Sequence, residues 1–199
     1  MSDAPIEFFF DFNSPYGYIA AHKIGEITAA HDRSVDWKPF LLGAVFKVTG
    51  AQPLPLVPMK GEYARHDFAR SARFHGVTYN PPESFPFSPT AASRAVYWAK
   101  RVGRAGEMTL ALYNAALGAG QDIAAPEAVV SVAAAAGFDG DAVAAGIQNP
   151  TIKEELKAVT DDAIAREIFG SPFMIVDGEA FWGADRLDMV ERWLETGGW

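Results

Sequence analysis

The sequence predicts an α/β fold in two separated parts, β-α-β at the start and β-β-α at the end, with a large all-helical insertion between them. Three features point to it. An aromatic run at residues 6–12 leads directly into a Ser-Pro helix start. A second strand pattern follows near residue 35. Close to the C-terminus, two short apolar runs flank Asp177-Gly178, a strong two-residue hairpin signal, ahead of an amphipathic helix.

Residues 6–12 (Ile-Glu-Phe-Phe-Phe-Asp-Phe) are β-prone and bounded by acids, the mark of a mostly buried strand. Asn13-Ser14-Pro15 follows; Ser is a favoured N-cap and Pro a favoured first helical residue. A helix is expected from 15 to about 30, with Tyr18, Ile19, His22 and Ile27 turned inward. Residues 35–40 alternate apolar and polar and form the second strand, so the opening is two parallel strands with a right-handed crossover.

Gly43, Gly50, Pro53, Pro55 and Pro58 predict a long loop over 41–59 with short helical turns at most. A helix over 59–74 is basic on one side (Lys60, Arg65, Arg70, Arg73). Residues 78–88, with Pro81, Pro82 and Pro86, read as loop. Ser88-Pro89 opens a helix to about 102, and others are expected over 107–117, 126–136 and 139–147. Asn149-Pro150 opens one whose Ile152, Leu156, Val159, Ala163 and Ile164 follow a 3.6-residue period. Gly170 stops it. A strand runs from Ser171-Pro172 to Val176, its partner occupies 179–182, and the last helix carries Leu187, Val190, Trp193 and Leu194 on one face. The order is that of thioredoxin: residues 1–40 and 165–199 form a discontinuous thioredoxin-like domain, and 41–164 a helical insertion domain.

Composition narrows the chemistry. The 199 residues hold 17 Lys plus Arg against 25 Asp plus Glu, a net charge of −8, which argues against a nucleic-acid partner. The chain has no cysteine, so disulfides, thiolate metal sites and a protein thiol nucleophile are excluded. No run approaches the roughly 20 apolar residues of a membrane span, and no basic, apolar leader is visible, so the expected compartment is the cytoplasm. The four histidines sit at spacings that match no zinc motif. Ser14 lacks the G-x-S-x-G frame of a hydrolase, and Gly118-Ala119-Gly120 lacks the third glycine of a dinucleotide fingerprint.

The stretch Phe10-Asp11-Phe12-Asn13-Ser14-Pro15-Tyr16-Gly17-Tyr18 resembles the N-terminal signature of the 2-hydroxychromene-2-carboxylate isomerases, relatives of the kappa-class glutathione transferases in the DsbA-like thioredoxin group. Residues 169–173 and 176–187 are similar to the family's C-terminal signature, and residues 46–50 to a third, weaker motif. Ser171, Phe173 and Ala51 depart from it; relatives usually carry Val or Ala, Thr, and often Asn there.

The resemblance implies a glutathione-dependent cis–trans isomerase acting on a small aromatic 2-oxo-acid intermediate of naphthalene-type breakdown, working as a homodimer. Ser14, where redox relatives carry cysteine, would hydrogen-bond the glutathione sulfur as the catalytic hydroxyl. Ser171, before a cis Pro172, would pair with the cysteinyl unit. Asp185 and the helix-terminal N–H groups would hold the γ-glutamyl end, and Trp182, Gly183, Ala184 and Arg186 would complete the glutathione site. Lys47 would take the substrate carboxylate, while Phe46 and Phe85 line its ring pocket; no metal is implied. Each residue also has a plainer role: Ser14 and Asp185 as helix caps, Pro172 as a trans edge proline, Lys47 and Arg186 as solvated charges. Three rival functions stay open: a kappa-like transferase that releases a glutathione adduct, a non-catalytic thioredoxin-like binding module, and a glutathione-independent hydrolase.

Overall fold

The structure is a computed structural model that describes residues 4–199. Strand β1 (Ile6–Phe10) leads into helix α1 (Pro15–Ala29) and strand β2 (Val35–Pro39). The segment that follows contains α2 (Leu42–Thr49), α3 (Lys60–Phe74), α4 (Thr90–Arg101), α5 (Ala105–Tyr113), α6 (Pro126–Ala135), α7 (Gly140–Gln148) and α8 (Pro150–Ala165). Strands β3 (Phe173–Val176) and β4 (Glu179–Trp182) and helix α9 (Leu187–Thr196) complete the fold.

The sheet order is β2-β1-β3-β4. β1 and β2 are parallel, with Ile6 opposite Val35 and Phe10 opposite Pro39. β3 runs antiparallel to β1, with Phe9 opposite Phe173, and forms a hairpin with β4. The thioredoxin order is therefore present, and one consequence matters for function: the ends of β1 and β3 bring residues 11 and 171 side by side.

β1 is buried on both faces, which explains its unbroken aromatic run. Phe8, Phe10 and Phe12 join Tyr18, Met108, Tyr113 and Val129 in one core that runs from the sheet into the helical segment. Phe9 faces the other way, onto Phe40, Val45, Ile168 and Phe173. Each such side chain contributes roughly 1.5–3 kcal/mol on burial.

Three expectations need correction. The glycine- and proline-rich stretch from 41 contains α2, a regular eight-residue helix. Its first N–H is accepted by Asp11, Val45 packs in the core, and Gly50 ends it at φ 72°. Ser88 does not cap α4; Pro89 occupies the N-cap, with no side-chain hydrogen bond. The helix expected over 107–117 is α5 running into a π-helical turn, Asn114–Gly118. Asn149 does cap α8, accepting Thr151 N–H at 2.8 Å.

Candidate active site

The site begins at the N-terminus of α1. Ser14 is extended (φ −105°, ψ 107°) and caps the helix. Its Oγ accepts Gly17 N–H at 2.9 Å and donates to the Ser171 carbonyl at 2.7 Å. The Ser171–Pro172 peptide is cis, as the fold assignment anticipated. The Ser171 N–H meets no acceptor among the described residues.

A polar layer lies beneath this contact. Asp11 N–H donates to Ser171 Oγ at 3.0 Å, and the Asp11 carbonyl accepts Ser14 N–H at 2.9 Å and the Tyr113 hydroxyl at 2.8 Å. Gly17 has to be glycine here: a Cβ would stand 2.7 Å from Tyr113 Oη and 2.9 Å from Ser171 Oγ. Asn13 clamps the loop at Phe87, donating to its carbonyl at 2.8 Å and accepting its N–H at 2.9 Å.

The C-terminal signature closes the same site. Gly183 N–H donates to the Pro172 carbonyl at 3.0 Å, fixing the end of β4 against the cis-proline loop. Gly183 adopts φ 109°, which favours glycine, and the Asp185 carboxylate folds over the place where a Cβ would be. Asp185 does not cap a helix by its side chain; a 3-10 turn, Ala184–Arg186, precedes α9, and Asp185 pairs with Arg186 at 3.0 Å. Trp182 stands half exposed, edge-on to Phe169 with ring centres 4.9 Å apart.

These residues surround a cleft of about 810 Å³. Ser14, Ser171, Trp182, Gly183, Ala184, Asp185 and Arg186 all line it, as do Phe46 and Phe85. Pro172 is buried and is not part of the lining. Lys47 was expected on a loop; it lies in the last turn of helix α2, exposed and outside the lining, one residue beyond Phe46.

Sequence reading missed four lining groups: Asp11, Tyr16, Asp67 and His75. The Tyr16 hydroxyl donates to Asp67 Oδ2 at 2.5 Å, and Arg70 pairs with the other oxygen. Burial and the bond to Asp67 push the Tyr16 phenol above its ordinary range. Burial raises the Asp67 carboxyl too, but the bonds from Tyr16 and Arg70 outweigh it and leave the group below its usual value. The available signal was an acid three residues before Arg70 in the basic segment 59–74. Burial lifts the Asp11 carboxyl to about 6, against the opposing N–H bonds of Asn13 and Leu42.

This architecture has known relatives. The DSBA-like thioredoxin domain matches residues 5–195. The chain belongs to the DSBA-like thioredoxin family. The 2-hydroxychromene-2-carboxylate isomerase of Sphingobium xenophagum is 29% identical to it over 193 residues, covering 95% of this chain and 97% of that protein. Glutathione S-transferase kappa 2 of Caenorhabditis elegans is 27% identical over 206 residues, covering 95% and 91%. A solved 2-hydroxychromene-2-carboxylate isomerase superposes with a TM-score of 0.84 at 25% identity, covering 96% of this chain and 94% of the other. These relatives support an enzyme. Since the sequence has no cysteine, this DSBA-like chain has no thiol of its own for disulfide exchange.

Proposed function

We propose that the protein is a glutathione-dependent cis–trans isomerase that converts 2-hydroxychromene-2-carboxylate, or a similar aromatic-catabolism intermediate, to trans-o-hydroxybenzylidenepyruvate or its counterpart. On this reading it works in the cytoplasm as a homodimer, with residues 1–40 and 165–199 as the glutathione-binding domain and 41–164 as the insertion that supplies the aromatic pocket. The observation that carries the reading is the Ser14 hydroxyl, held at the N-terminus of α1 against the cis Ser171–Pro172 peptide, in the cleft that the C-terminal signature also lines.

The residues fit glutathione. The Ser171 N–H is ready to pair with the cysteinyl carbonyl, as one rung of antiparallel pairing. The exposed Asp185 carboxylate suits the α-amino group of the γ-glutamyl end, with Trp182, Gly183, Ala184 and Arg186 around it. Glutathione, when bound, supplies the thiolate that adds reversibly to the conjugated double bond and lets it rotate. Ser14 stabilises that thiolate. Its oxygen stays fixed by Gly17 N–H while its hydrogen turns from the Ser171 carbonyl to the sulfur.

A thiol has a pKa near 8.5, so about two units of lowering, roughly 2.7 kcal/mol, make it mostly thiolate at neutral pH. One charge-assisted hydrogen bond contributes about 1.5–3 kcal/mol, and a helix N-terminus about 0.3–1 kcal/mol; together they suffice. Phe46 and Phe85 provide the apolar wall for the ring, and Lys47 reaches the substrate carboxylate from the rim on its flexible stem.

A kappa-like transferase is the second reading, favoured by the near full-length similarity to kappa glutathione S-transferases. The test is turnover of 2-hydroxychromene-2-carboxylate by protein freed of carried-over glutathione. Isomerisation that needs added glutathione supports the isomerase. A stable glutathione adduct of an electrophile, without isomerisation, supports the transferase. No glutathione binding leaves the binding module, and ester turnover without glutathione the hydrolase.

A further inference from the structure

Asp11 is 2% exposed and yet borders the cleft. Its carboxylate spans two elements. Oδ1 accepts Asn13 N–H at 2.8 Å, within the turn that ends at Ser14. Oδ2 accepts Leu42 N–H at 2.9 Å, at the first residue of α2. One turn further along, α2 places Phe46 on the cleft wall. A single side chain therefore links the turn leading to the Ser14 hydroxyl with the wall proposed to hold the aromatic ring.

No Lys or Arg pairs with Asp11 among the described residues, so the backbone N–H groups of Asn13 and Leu42, with the Asn13 side-chain amide, hold the charge. From α5 it is faced by Tyr113, a buried phenol pushed well above its ordinary range and therefore neutral. Its neighbours from the turn, α2 and the cis-proline loop are Asn13, Leu42 and Ser171, all uncharged. Asp67 of α3 lines the same cleft but is engaged by Tyr16 and Arg70. Lys47 of α2 is exposed outside it.

We propose that Asp11 is a positioning residue whose ionised carboxylate fastens the α2 wall to the Ser14 turn, and that proton uptake at Asp11 releases the wall while the Ser14 contacts persist. This rests on the isomerase reading for its catalytic consequence, but not for the link itself. Oδ2 already accepts the Leu42 N–H, so a proton there takes up one of its lone pairs, removes the negative charge and weakens the bond that fastens α2. Burial, which disfavours the charge, places that event at about 6, above the ordinary carboxylate range. Below it, the substrate pocket loosens while the glutathione subsite stays intact.

The experiment has two parts. In wild type, the amide NMR signals of Asn13 and Leu42 are followed through pH 6, without ligand. A shared titration with a midpoint near 6 is expected, absent in Asp11→Asn. Then substrate KM and glutathione affinity are measured against pH for both proteins. In wild type, KM is expected to rise about tenfold below the midpoint, the effect of one lost hydrogen bond to a charged group, with glutathione affinity nearly unchanged. In Asp11→Asn, KM should be raised at every pH. No titration at Leu42, or a wild-type pH profile in Asp11→Asn, overturns the proposal. Should the variant not fold, the wild-type titration alone decides. If wild type neither binds glutathione nor turns over substrate, the functional reading fails, and the NMR titration still tests the link.

Discussion

The Ser14 hydroxyl donates to the Ser171 carbonyl at 2.7 Å, joining residues 157 positions apart. The contact exists only when β1 and β3 are paired, because their ends deliver the two residues. Site assembly and sheet assembly are thus one event. A cap that satisfies α1 also aims a hydroxyl into the cleft, so one residue serves fold and chemistry together.

Gly17→Ala tests how tightly that layer is packed. The new methyl would meet Tyr113 Oη and Ser171 Oγ, and Tyr113 is fully buried and bonded to the Asp11 carbonyl. Overpacking of this kind costs about 1–3 kcal/mol. Chemical denaturation should show that loss, and the folded variant should turn over more slowly. Wild-type stability with wild-type turnover would mean the layer yields freely.

Lys47→Ala separates substrate binding from glutathione binding. An exposed charge outside the cleft lining contributes about 1 kcal/mol or less, so substrate KM should rise no more than about fivefold. The kcat and the affinity for glutathione should be unchanged. A collapse of kcat would place Lys47 inside the chemistry, contrary to its position in the structure.

Stability against acid should depend on Glu7. The hydrogen bond from Arg166, then the contact with Lys38, hold its carboxyl down to about 2. Its pKa is lowered on folding from 4.5, so its contribution is complete above 4.5 and disappears as pH falls toward 2. Glu7→Gln should therefore be less stable at neutral pH by about 1 kcal/mol after solvent screening, with the gap closing in acid. Asp11 acts in the opposite sense: its pKa is raised on folding, so burying its charge lowers stability as pH rises from 3.8 through 6. Denaturation midpoints across pH for the two single variants should diverge in opposite directions.

Much of this was legible locally. The Ser14-Pro15 helix start, the Asp177-Gly178 hairpin and the C-terminal signature depend on short-range backbone chemistry, and all three appear in the structure. What was missed depends on contacts distant in sequence. α2 looked like loop because glycine and proline bracket it; it is anchored by Asp11, 31 residues earlier. Asp11 itself looked like a strand boundary, and it is buried where α2, α5 and the cis-proline loop meet, through Leu42, Tyr113 and Ser171. Tyr113 sat in an ordinary helical pattern, and nothing local marks its bond to the Asp11 carbonyl.

The central claim is that Ser14 and the start of α1 hold a glutathione thiolate. The most direct measurement is the ultraviolet thiolate absorbance of protein-bound glutathione as a function of pH, in wild type and Ser14→Ala. The account predicts that the thiol bound to wild type titrates about two units below its ordinary value near 8.5. In Ser14→Ala, glutathione should still bind and its thiol should titrate at least about one unit higher than in wild type, the loss of one hydrogen bond to a charged atom. Identical titrations in the two proteins, or no glutathione bound to wild type, would contradict it.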